Sequence, residues 1–164
     1  MKECPALLPE QHKLPQPFLL LDSVSEFTPN RLIGEKLFTS APPWQALEAA
    51  AQLCSLHLRL LTRFSCRTFL LSVEKFALPA GHMPDGLFSL AASLLHRNRQ
   101  AAEYAASLSM QSLHENGCAQ NILSLSGIIR IGACDYSDKK QEALLKKHYQ
   151  YLCERLCATT CMNI

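Results

Sequence analysis

Four polar residues share one line along an otherwise greasy stretch of the chain. Glu48, Gln52, Ser55 and Arg59 recur at i, i+4, i+7 and i+11 within Trp44 to Leu61, a segment with no glycine or proline. At 3.6 residues per turn that spacing draws a single polar line along a helix. A carboxyl group on such a line can give or take a proton from a bound molecule, and an amide one turn later can orient it or hold a water. The competing role for Glu48 is a glutamate near the helix start, favoured by the helix dipole. For Gln52 it is a hydrogen bond to a neighbouring loop. Ser55, on the same line, joins them as a candidate substrate contact.

The start of that helix carries further candidates. Pro42 and Pro43 have no N–H, so backbone donors for a carbonyl oxygen would come from Trp44, Gln45 or Ala46. Trp44 can wall a channel or pack into a core. A reaction that also needs a base has three histidines to consider. His82 lies in the loop Ala80-Gly81-His82-Met83-Pro84, between two turn signals, as a candidate base or a plain surface residue. His57 falls nine residues after Glu48, on the opposite side of the helix, and reads as a hydrogen-bonded core histidine. His12 sits in the N-terminal arm, where nothing constrains it.

The eight cysteines include no CxxC pair. Cys153, Cys157 and Cys161 recur at four-residue steps on one expected helix. Three thiolates on a straight helix cannot surround a tetrahedral ion without ligands from elsewhere, so they read as small apolar residues on a buried stripe. No metal and no organic cofactor is expected.

Composition bounds the rest. The chain has 164 residues, 48% of them hydrophobic, which suits one domain with a real core. A formal charge of +2, with no basic stripe, argues against a nucleic-acid partner. The longest apolar runs, such as Phe18 to Leu21, are far too short to span a membrane. Glu3, Glu10 and several prolines break up any signal-peptide pattern, so the expected setting is cytoplasmic.

The elements that would position these residues follow from periodicity. Residues 1–16 hold Pro5, Pro9 and Pro15 and read as an irregular arm. Phe18 to Phe27 alternates, Thr28-Pro29-Asn30 turns, and Arg31 to Phe38 returns as a second strand. After the Trp44–Leu61 helix come strands over Arg67 to Leu78, Leu87 to His96 and Gln100 to His114. The last is alanine-rich, yet Asn116-Gly117 is a strong hairpin signal, and a further strand follows with Leu123, Leu125, Ile129 and Ile131 on one face. Ser137-Asp138 caps a final helix from Lys139 to about Cys161, with the stripe Leu144, Leu145, Tyr149, Leu152, Cys153, Leu156 and Cys157. Its lysines 139, 140, 146 and 147 read as a solvated face, with an acidic or phosphate partner as the alternative. The class is α+β: an antiparallel sheet wrapped around one long helix, plus a C-terminal helix.

That order is similar to the hotdog fold, and the residues resemble one family within it. Leu14-Pro15-Gln16-Pro17-Phe18-Leu19-Leu20-Leu21-Asp22 resembles the opening strand of the 3-hydroxyacyl-[acyl-carrier-protein] dehydratases, and Leu47-Glu48-Ala49-Ala50-Ala51-Gln52 resembles their central-helix motif. Phe69-Leu70-Leu71 and Pro84-Asp85-Gly86 fall where that family has its third strand and following turn. Pro42, Trp44, Glu48, Ala51, Gln52 and His57 are also similar, in order and spacing, to a shorter dehydratase-like branch of aryl-polyene and polyketide or fatty-acid clusters.

The resemblance implies a hotdog domain over 17–133, which leaves an arm over 1–16 and a helical extension over 134–164 outside it. It implies Glu48 as catalytic acid, acyl carrier protein or acyl-CoA thioester as partner, and a homodimer or a heterodimer with a homologous hotdog subunit. The chain departs from the family where a loop histidine takes the α-proton: residues 40–45 contain none, and Gln16 replaces the lead-in histidine. Three functions therefore stand side by side: a dehydratase-like enzyme, a thioesterase using Glu48, and a non-catalytic subunit that binds an acyl-carrier partner.

Overall fold

The computed structural model describes residues 19–113 and 119–156, and no side chain of 111–122. Six strands and two helices follow in the order β1 (Ser23–Thr28), β2 (Arg31–Phe38), α1 (Trp44–Leu61), β3 (Arg67–Glu74), β4 (Gly86–Arg97), β5 (Ala101–Leu113), β6 (Ala119–Cys134) and α2 (Lys139–Leu156). The strands form one sheet in the order β1-β2-β4-β5-β6-β3, with every pair antiparallel. The arm, the Asn116-Gly117 turn, His12, Cys157 and Cys161 lie outside the described residues.

The sheet curls around α1. Its inner face contributes Leu32, Phe88, Leu90, Tyr104, Leu108, Ile129 and Ile131, all but sealed from solvent, and α1 meets them with Ala46, Ala49, Leu53, Cys54 and Leu58. Burial on nearly every side explains why α1 tolerates so few polar residues. Gly34 lets the helix approach closely, since a Cβ there would lie 2.8 Å from the Ser23 carbonyl oxygen and 3.1 Å from Leu53 Cδ1. β5 is a strand despite its alanines, because ladders on both sides and the buried face Ala102, Tyr104, Ala106 and Leu108 outweigh local helix propensity.

Two expected boundaries move and one alternation breaks. The Phe18–Phe27 strand starts only at Ser23, because Leu20 and Leu21 are both buried and Leu20 N–H donates to the Gln52 side chain instead of a ladder. A bulge between Val24 and Glu26 then breaks the expected alternation, so Val24 and Phe27 both pack toward the core. The third strand ends at Glu74 rather than Leu78, since Lys75 turns the chain at φ 59°.

Helix α1 stops in a Schellman motif. Arg63 N–H donates to Leu60 O and Phe64 N–H to Arg59 O, with Arg63 in the left-handed region at φ 50°. Asp138 caps α2 as expected, its carboxylate accepting from Lys140 N–H at 3.0 Å. Leu152, Cys153 and Leu156 of α2 are buried against the domain, whereas Leu144, placed on the buried stripe by periodicity, is 71% exposed. Lys146 pairs with Glu142 one turn away, in keeping with a solvated face. Among the described residues no helix is long and apolar enough to cross a membrane.

Candidate active site

The polar line on α1 is a real surface, and it faces a cavity. Glu48, Gln52, Ser55 and Arg59 all line a space of about 330 Å³ between α1, the lead-in Leu19 and Leu21, strand β3 and helix α2. Its walls are largely apolar: Leu56, Phe69, Leu70, Ile131, Leu152 and Leu156. The line spans eleven helical steps of about 1.5 Å, so Glu48 and Arg59 stand about 16 Å apart along the axis.

Gln52 binds in two directions at once. Its Oε1 accepts from Leu20 N–H at 2.8 Å, which turns its Nε2 toward Glu48 Oε1 at 3.0 Å. Both roles weighed from sequence, loop tether and carboxylate orienter, are therefore filled by the same side chain. Farther along, the hydroxyls of Ser55 and Thr68 lie 2.5 Å apart, tying the helix to β3 across the cavity wall.

Other candidates are placed differently. Trp44 is 49% exposed, one turn before Glu48 on the same side of α1, and does not pack in the core. Gln45 and Ala46 N–H groups donate to Pro42 O and Pro43 O at 3.0 and 3.1 Å, so both are used within the helix start. His82 is exposed and is not among the cavity-lining residues.

His57 is buried behind the helix. Its Nε2–H donates to Thr28 O at 2.9 Å, which leaves Nδ1 to accept from the Tyr104 hydroxyl at 3.2 Å. The rings of Phe27 and Tyr104 stand edge-on to it. Burial lowers its pKa below the usual histidine value, though the Thr28 bond opposes that, so the ring is neutral. Burial likewise raises the Cys54 thiol far above its ordinary range, which makes it inert.

The sequence missed what α2 brings. His148, Tyr149, Leu152 and Leu156 line the cavity, and the Arg59 guanidinium lies over the Tyr149 ring at 3.8 Å from its centroid. Arg59 was legible on the polar line; its neighbours were not, because nothing local in α2 says where that helix docks. Among the described residues no group of three or more His, Cys, Asp or Glu side chains is arranged to hold a metal ion.

No family model matches the chain, and no curated protein matches it in sequence. Solved structures do match in shape. The dehydratase heterocomplex ApeI:P from Xenorhabdus doucetiae aligns with a TM-score of 0.54 at 14% identity, over 79% of this chain and 90% of that one. A thioesterase from Haemophilus influenzae aligns with a TM-score of 0.51 at 10% identity, over 71% and 80%. A mutant thioesterase from Pseudomonas aeruginosa aligns with a TM-score of 0.50 at 14% identity, over 69% and 81%. At such identities the likeness is one of architecture. The chain has the hotdog fold, an α+β sheet curled around one central helix, with a further helix laid across its cavity.

Proposed function

We propose that the protein binds an acyl thioester in this cavity and acts on it through Glu48, as a dehydratase-like hotdog subunit. The observation that carries the reading is the Glu48 carboxyl group, held by Gln52 and opening on an apolar cavity along the central helix. In dehydration of a 3-hydroxyacyl thioester the C–H bond beside the carbonyl and the C–O bond at carbon three break. A C=C bond forms, and water leaves with the proton that Glu48 donates to the departing hydroxyl. The thioester would come from acyl carrier protein or coenzyme A, in the cytoplasm.

The one described histidine on the cavity, His148, sits next to Tyr149 at the Arg59 end, away from Glu48, so we place the base that takes the other proton on a second hotdog subunit. One further observation supports a subunit there. The β3 edge also presents Phe69, Leu70 and Leu71 at 48%, 47% and 52% exposure, while Phe69 and Leu70 reach the cavity, so a partner there would wall the same space.

A second reading, hydrolysis, draws on the same carboxylate. A glutamate oriented by an amide can activate water, or attack the carbonyl itself, without any histidine. Incubation with a 3-hydroxyacyl and a saturated acyl thioester separates the readings. Enoyl absorbance from the first marks dehydration, and free thiol from either marks hydrolysis. Binding with neither product marks a non-catalytic acyl-carrier subunit, and absence of binding overturns the proposal.

A further inference from the structure

The far end of the cavity carries a cation that no described carboxylate neutralises. Arg59 lines the cavity, yet none of the described carboxylates forms an ion pair with it. Its Nε is buried and without a hydrogen-bond partner. The one other such side-chain atom among the described residues is the Tyr136 hydroxyl, whose ring lies near enough for the Arg59 charge to act on it. A charged donor at Arg59 Nε is thus shielded from water with no described acceptor for its hydrogen, although the guanidinium also makes a side-chain hydrogen bond to Tyr149. Leaving such groups unpaired is costly, and a bound acceptor removes the cost.

The guanidinium is also held in place. It leaves α1 in the last turn, within the Schellman motif, and lies over the Tyr149 ring, which is in turn stacked on Phe64. Tyr149 and His148 line this end, and the groups that act on the Arg59 charge, Tyr149, Tyr136 and Cys66, supply no permanent negative charge; Glu142, which acts on Tyr136, is paired with Lys146. A planar, fixed guanidinium is suited to a carboxylate.

We propose that Arg59 is an anion-binding group at the distal end of the cavity, selecting aliphatic ligands whose far end carries a carboxylate. The chain of such a ligand lies along the apolar wall toward Glu48. This rests on the cavity taking acyl chains, as above, and adds the chemistry of the chain's end. The carboxylate belongs either to a free fatty acid or to an acyl thioester bearing a terminal carboxyl group.

Binding of dodecanoate and of 1-dodecanol to the full chain tests it. Dodecanoate should bind at least tenfold more tightly. Arg59→Met should bring the two within twofold, Arg59→Lys should keep a partial preference, and Tyr136→Phe should weaken the acid about threefold. Equal binding of acid and alcohol by the unaltered protein overturns the proposal while leaving the acyl reading intact. Binding of neither overturns both. Thioesters with and without a terminal carboxylate identify the source: faster turnover of the carboxylated one assigns it to substrate, and dodecanoate preference without that difference assigns it to a free acid.

Discussion

Gln52 Nε2 donates a hydrogen bond to Glu48 Oε1 at 3.0 Å, one helical turn away. Because Leu20 N–H already claims the amide oxygen at 2.8 Å, the amide cannot flip without breaking both bonds. The carboxyl group is therefore aimed by a side chain that is itself anchored to the lead-in segment. Glu48→Gln should abolish turnover, a loss of about 10²–10⁴-fold for removal of an acid–base group, with an unchanged circular dichroism spectrum. Gln52→Ala should lower kcat about tenfold and leave KM within twofold, since it disturbs aim rather than binding. Unchanged kcat in Glu48→Gln would remove the residue from the reaction.

The β3 edge supplies a second prediction. Three consecutive large apolar residues on a strand paired only on its β6 side form a template for another strand, and β1 at the opposite edge is more polar, with exposed Ser25 and Glu26. Leu70→Lys should convert a dimer to the 18.3 kDa monomer in light scattering, while the control Leu144→Lys on exposed α2 should leave the mass unchanged. A wild-type monomer would remove β3 as the seam.

How much of this could be read without coordinates depends on range. The polar line on α1 was legible because helical periodicity alone sets which residues share a side. The helix–sheet order was legible because turn residues such as Thr28-Pro29-Asn30 and Arg97-Asn98-Arg99 sit between clean alternations. The second of these turns on Asn98, whose side chain accepts from Gln100 and Ala101 N–H. What failed was decided by distant packing. The bulge after Val24 shifts Phe27 to the core side to meet His57, and no alternation pattern encodes an inserted residue. Leu144 fitted a stripe whose actual boundary is drawn by where α2 meets α1 and β1. Trp44 looked like core until the structure placed it where the helix emerges.

His57 makes stability depend on pH. Burial lowers its folded-state pKa, so the unfolded chain binds a proton at a pH where the folded chain does not. Stability is then fully present above about 6.5, the ordinary histidine value, and falls as pH drops, by at most about 1.4 kcal/mol per unit, until the folded-state value is passed. Denaturant midpoints at pH 7.5 and 5.5 should show this decline in the unaltered protein and a smaller one in His57→Gln, which keeps an acceptor and a donor for Tyr104 and Thr28. Equal declines would mean that other groups govern the acid limb.

The end of α1 offers a stabilising substitution. Arg63 occupies the left-handed position of the Schellman motif at φ 50°, and its side chain is exposed. An L-residue there carries about 1–2 kcal/mol of steric strain that glycine lacks, partly offset by the roughly 0.5–1 kcal/mol that glycine's freedom adds to the unfolded chain. Arg63→Gly should therefore raise stability by about 0.5–1 kcal/mol, and Arg63→Val, whose branched Cβ tolerates this region least, should lower it. Because Phe64 and Arg59 are joined by this turn, the same variant should also leave ligand binding at the Arg59 end unchanged, since the backbone path is preserved. Thermal melts decide it: a lower Tm for Arg63→Gly than for the unaltered chain would show that the left-handed turn is not the conformation in solution.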